Sequence, residues 1–138
     1  MDVPKRIFTV EEANQLLPQI DAILARVEEK KSAIARAHDE LLMEELILEK
    51  ASSGGVYDPG RRLEREAQTL ESSFEEIKKE IEQIRRLGCL LRNAEKGWVD
   101  FPSEQDGNPV YLCWRRGEKV IGYYHPASGA SASRLPLT

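Results

Sequence analysis

The sequence predicts an α+β protein, mostly α: a long antiparallel helical hairpin, coiled-coil-like, followed by a small antiparallel β-meander of about three strands. Three observations carry this reading. Apolar residues recur in alternating steps of three and four along most of residues 9–93. A cluster of Ser, Gly and Asp-Pro-Gly interrupts that rhythm at Ser52–Gly60. From Trp98 onward the apolar period drops to two, the spacing of a half-buried strand.

The chain has 138 residues, enough for one domain with a modest core. Charged residues make up 32%, which suits long solvated helices. The net charge of −4 argues against a phosphate-neutralising nucleic-acid surface, while leaving room for a local basic patch. Cys89 and Cys113 have no CxxC spacing and read as reduced thiols. The first residues lack the apolar core of a signal peptide, and no stretch approaches the roughly 18 apolar residues of a membrane span. The expectation is a soluble, cytoplasmic protein.

Lys5 to Phe8 reads as a short edge strand. The first helix starts at Thr9, because Thr-Val-Glu-Glu is a capping box: the Thr9 hydroxyl accepts one orphan amide and Glu12 reaches back to another. It runs to residue 51. Pro18 lies inside it and predicts a kink, or else a short helix ending at Leu17; the apolar rhythm continues through the proline and favours one bent helix. That rhythm is Ala13, Leu17, Ile20, Leu24, Val27, then Lys31, Ile34, His38, Leu41, Glu45 and Leu48. The polar positions Lys31, His38 and Glu45 mark either drift of the seam onto Ala37, Leu42 and Leu46 or a polar layer that sets register.

Residues 52–58 read as a loop, with Asp58 and Pro59 suited to starting the second helix, residues 59–93. Its seam, Leu63, Ala67, Leu70, Phe74, Ile77, Ile81, Ile84, is unbroken until Gly88, which is a close-packing point or the end of the regular helix. Each helix offers one apolar stripe. Either a second copy completes a four-helix bundle or the C-terminal region covers part of the seam; a homodimer through the hairpin is the expected partner.

Residues 97–125 read as the β unit. Trp98 to Phe101 is a strand stopped by Pro102, and Asp-Gly-Asn-Pro at 106–109 is a turn. Val110 to Arg115 is a second strand, Arg116 to Lys119 a hairpin loop, and Val120 to Tyr124 a return strand. Residues 126–138 read as a surface tail.

Chemistry-bearing residues concentrate in this unit. Asp100, Glu118, His125 and Arg134 are the ligand-binding candidates, with Trp114 as an aromatic beside Arg115 and Arg116 that could stack a planar ligand. A carboxylate would orient one His125 nitrogen and leave the other for proton transfer, metal or an anion, and Asp100 is the easier partner than Glu118. Cys113 reads as a small buried hydrophobe, Trp114 equally as a core residue, and His125 equally as a structural histidine. His125, Glu118 and Asp100 are the ligand types for a divalent metal such as zinc, but at no metal-binding spacing. Catalytic residues are not identifiable: there is no Ser-His-Asp arrangement and no phosphate-binding glycine loop.

At these residues the chain resembles an uncharacterised prokaryotic family, domain of unknown function 2203. The matching residues are Ile7 to Pro18 (IFTVEEANQLLP), Gly97 to Pro102 (GWVDFP), Val110 to Glu118 (VYLCWRRGE), Tyr123 to His125, and then Gly129 and Arg134. Pro126 and Ser128 stand where the family pattern carries acidic residues. The resemblance implies helices followed by a compact Leu-Cys-Trp, Gly-Glu, His unit, with Glu12 or Asn14 brought near it, and implies no activity. The functional expectation is a non-enzymatic interaction or scaffold protein that dimerises and docks an unidentified protein partner. The alternative is a small-ligand or metal site in the β unit, with an enzymatic role left open.

Overall fold

The computed structural model describes residues 6–51, 59–127 and 134–137. Its contacts divide the chain into two compact units, one formed by the segment up to Arg26 together with Glu80 onward, the other by Val27–Lys79.

The first unit holds the core. Helix α1 (Val10–Ala51) begins here and runs unbroken through Pro18. Its start is the capping box that Thr9 and Glu12 encode: the Thr9 amide donates to Glu12 Oε1 at 2.9 Å, and the Glu12 amide donates to Thr9 Oγ1 at 3.1 Å. Ala13, Leu17, Ile20, Ile23 and Leu24 all face inward, as a 3.6-residue period requires. The second helix, α2 (Pro59–Arg86), stops seven residues short of the expected Asn93. Gly88, at φ 96°, lets the chain close a Schellman cap: its amide donates to Arg85 O at 2.9 Å, and the Cys89 amide to Ile84 O at 3.3 Å. A side chain at Gly88 would also crowd Arg6, its Cβ lying 3.0 Å from that of Arg6.

Beyond α2 the chain forms a five-stranded antiparallel sheet, not the expected three. Its strands are β1 (Leu90–Asn93), β2 (Trp98–Gln105), β3 (Asn108–Arg115), β4 (Tyr123–Pro126) and β5 (Leu135–Pro136), paired in sequence order. The meander topology stands; the two extra strands lie at its edges, one inside the expected helix and one inside the expected tail. Strand β2 continues through Pro102, whose carbonyl accepts the Phe8 amide at 2.7 Å; Ser103 Oγ donates to Phe8 O at 2.6 Å. Phe8 is thereby fixed beside the sheet without forming a strand of its own, with its ring edge-on to Phe101. Asp106 and Gly107 both take positive φ, 53° and 80°, in the two-residue turn between β2 and β3.

Residues 116–122 form a longer connection than the tight hairpin expected, and β4 starts at Tyr123. The reason is a set of competing bonds. Asn14 Oδ1 accepts the Ile121 amide at 2.8 Å, Arg116 Nε donates to Asp21 at 2.9 Å, and Trp114 Nε1 donates to Glu118 O at 2.8 Å. These draw the loop toward the start of α1. Asn14 is thus the residue of the helix start that reaches the β unit, while Glu12 stays in its cap.

The register sorts the sheet into two faces. Val99, Phe101, Leu112 and Trp114 are buried in the core with Phe8, Ile20 and Ile84. The alternate residues Asp100, Tyr111, Cys113, Tyr123 and His125 lie on the opposite face.

The second unit is a pair of helical segments, Val27–Ala51 of α1 and Pro59–Lys79 of α2. Lys30 meets Glu76 at 3.8 Å and His38 Nδ1 meets Glu66 at 2.9 Å, so rising numbers on one helix match falling numbers on the other: the pair is antiparallel. Of the seam positions, Val27 is buried, Ile34, Leu41, Leu48, Leu70 and Ile77 are half-buried, and Phe74 is exposed. Lys31 and His38 are exposed, and Glu45 is half-buried. The expected loop 52–58 falls outside the described residues. No helix among the described residues is long and apolar enough to cross a membrane.

Candidate functional site

The outer face of the sheet gathers the predicted polar residues into two pairs. The first is Asp100 with His125. They stand on β2 and β4, two strands apart, and reach across β3: His125 Nε2 lies 2.9 Å from Asp100 Oδ2. Both are buried, with side-chain exposures of 3% and 2%. Arg92 Nε donates to the same carboxylate oxygen at 2.8 Å. The Tyr111 ring closes the cluster, 5.4 Å from the His125 ring and 5.1 Å from the Arg92 guanidinium carbon. The bond to Asp100 strengthens Arg92's hold on its proton, against the opposing cost of burial.

This geometry limits the chemistry. A carboxylate opposite Nε2 requires a hydrogen on Nε2. Nδ1 faces the Pro126 carbonyl at 3.3 Å. Neither ring nitrogen points into open space, so His125 has no nitrogen free to exchange a proton with a bound molecule. The group is a hydrogen-bonded latch across three strands, with the Arg92–Asp100 ion pair beside it.

The second pair is Glu118 with Arg134. Arg134 Nη2 donates to both Glu118 oxygens, at 2.8 and 3.0 Å, and to the Cys113 carbonyl at 3.3 Å. Its guanidinium lies 4.0 Å from the centre of the Tyr123 ring. Glu118 Oε1 also accepts the Arg115 amide at 2.7 Å. Arg134 therefore ties the strand that follows it, β5, to the loop before β4. Cys113 lies between the two pairs. Burial pushes its thiol up, Asp100 adds to the rise, and Arg134 and Arg115 oppose it. The Cys89 thiol, in the core, is pushed up to about 12 by burial, with Arg6 opposing.

Asp100 and His125 thus meet each other, Glu118 and Arg134 meet each other, and both pairs share one face of the sheet. Trp114 does not join them. It is buried on the core face, anchored by its bond to Glu118 O. The aromatic beside the cations is Trp98 instead: the Arg115 guanidinium carbon lies 4.3 Å from its ring centre, and Lys96 Nζ 5.1 Å. Glu118 is held by Arg134 and the Arg115 amide, apart from the Asp100–His125 contact, and among the described residues no three His, Cys, Asp or Glu side chains gather as a metal-binding group.

Arg92 and Tyr111 are missed by the sequence reading. Residues 90–93 continue the charge pattern of the helix before them, so Arg92 reads as a solvated helix residue. The available signal is Gly88: a left-handed glycine after Arg85-Arg86 is a helix stop, which frees Leu90–Asn93 to be a strand and turns Arg92 onto the sheet. Tyr111 is set by register alone, opposite His125.

A family model described as "Uncharacterized conserved protein (DUF2203)" matches residues 6–137. No curated protein and no solved structure matches the chain significantly.

Proposed function

We infer, for a chain that belongs to the DUF2203 family of uncharacterised conserved proteins, a non-enzymatic interaction role in which the helical pair Val27–Lys79 dimerises. The observation that carries this reading is the apolar surface the pair leaves open. Leu42, Met43, Leu46 and Ile47 are 47–63% exposed, and Phe74 is 59% exposed. Between the helices lies a groove of about 940 Å³ lined by Ile34, Ala37, Leu41, Leu48 and Leu70. A heptad seam that stays half-open within one chain is what a second, identical pair fills in a four-helix bundle. The two buried unpaired thiols, Cys89 and Cys113, support a reducing, cytoplasmic setting.

Analytical ultracentrifugation tests the reading. The wild-type chain is expected to sediment as a dimer, and Leu46→Glu with Ile47→Glu as a folded monomer. A wild-type monomer at high concentration sinks the proposal.

The outer sheet face supports a second reading, a small-ligand site. The observation in its favour is that Arg92, Asp100, His125, Glu118 and Arg134 all occupy that face. A divalent metal such as zinc on Asp100, Glu118 and His125 would require Glu118 to leave Arg134 and a His125 nitrogen to leave Asp100 or the Pro126 carbonyl, so metal analysis of the purified protein separates that version from the rest.

A further inference from the structure

Two cations meet one aromatic ring at the start of β2, and among the described residues no carboxylate pairs with either. Trp98 and Arg115 are cross-strand partners, so both lie on the outer face. The Arg115 guanidinium stacks 4.3 Å from the Trp98 ring centre, and Lys96 Nζ lies 5.1 Å from the same centre. Arg115 Nε is buried with no hydrogen-bond acceptor. Among the described residues neither the Lys96 ammonium nor the Arg115 guanidinium has an ion-pair partner. The carboxylates that contact their neighbours are engaged elsewhere: Glu118 with Arg134 and the Arg115 amide, Asp21 with Arg116.

The backbone holds this arrangement in place. The Lys96 amide donates to Asn93 Oδ1 at 2.9 Å, and the Arg116 amide donates to Gly97 O at 2.9 Å. Gly97 has φ 70°, and a Cβ there would lie 2.5 Å from the Arg116 side chain. Only glycine lets the turn carrying Lys96 approach the end of β3 this closely. Two cations held at one indole, with a buried donor left unmade, have the composition of an anion site.

We propose that Lys96, Trp98 and Arg115 form a site for the phosphate group of a phosphate monoester. Arg115 supplies a planar fork that matches two phosphate oxygens, Lys96 supplies a second point charge, and the indole fixes the positions of both. Two cations match the two charges of a monoester. They do not make the extended basic track a nucleic-acid strand requires, and the net charge of −4 agrees.

The test is calorimetric titration of the full chain with inorganic phosphate and, separately, with adenosine monophosphate, each against potassium chloride at equal ionic strength. Saturable binding is expected, weakened about tenfold by Arg115→Gln and by Lys96→Gln and only partly by Arg115→Lys, with Lys79→Gln unchanged. Tighter binding of the nucleotide identifies an organic monoester as the ligand; equal affinities identify the free ion. Lys96 lies exposed on a turn, so Lys96→Gln reports on the site even if Arg115→Gln unfolds. Absence of saturable binding up to about 10 mM of either anion, or equal weakening by Lys79→Gln, overturns the site.

Discussion

Asp100 shows how burial, more than bond length, decides what a charged contact is worth. Its two partners approach almost equally, Arg92 at 2.8 Å and His125 at 2.9 Å. The Arg92 side chain is 42% exposed and can turn to water when its partner is lost; the His125 side chain is 3% exposed and cannot. Arg92→Gln leaves the buried Asp100 its contact with His125 and is therefore expected to cost less than Asp100→Asn. Asp100→Asn leaves His125 facing an amide inside the sheet and is expected to cost on the order of 3 kcal/mol. Guanidinium unfolding of both variants checks this, and similar losses for the two would refute the assignment of the energy to burial. The pairing of Asp100 with His125 was legible in the sequence from residue type, one acid and one histidine in a small sheet, although they meet across β3 and not from neighbouring strands. Arg92 was not, since its side chain became part of the sheet only through where α2 ends.

At the scale of elements, legibility followed the strength of local chemistry. Thr9 with Glu12, Gly88, and Asp106 with Gly107 each encode a backbone geometry that few other residues permit, and each forms a defined cap or turn. The edge strands had no such marker. β1 carries the Leu-Leu-Arg-Asn of a helix end, and β5 is a two-residue strand whose place depends on Arg134 binding Glu118 from a distance of 16 positions. Contacts that distant leave no periodicity to read. The cap itself gives an element-scale prediction. Thr9→Ala removes the acceptor for an orphan amide and is expected to cost about 1 kcal/mol at neutral pH. The hydrogen bonds from Thr9, backbone first and hydroxyl second, hold the Glu12 carboxyl below its ordinary value of 4.5. A depressed carboxyl stabilises the fold above its unfolded pKa, and that contribution is lost as pH falls through the folded one. The gap between wild type and Thr9→Ala should accordingly be full at neutral pH and narrow below pH 4.5, as melting curves across that range would register.

For the whole molecule, the distribution of apolar burial sets what each unit can do alone. The unit containing the sheet buries Trp114, Phe8, Phe101, Ile20 and Ile84 almost completely. The Val27–Lys79 pair has no described side chain of comparable size buried to that degree, and Phe74, its largest apolar one, is mostly exposed. Local stability tracks buried apolar contact, so amide exchange should be slow in β2 and β3 at any protein concentration. In the helical pair it should depend on concentration, because association stabilises by mass action only the segments that form the interface. Hydrogen exchange read by mass spectrometry at two concentrations about a hundredfold apart separates the cases. Dimerisation through the pair predicts that residues 30–50 and 64–79 gain protection on concentration while residues 98–115 do not change. A gain confined to residues 98–115 would place the interface on the sheet, and no gain anywhere would leave the open seam to a different partner chain.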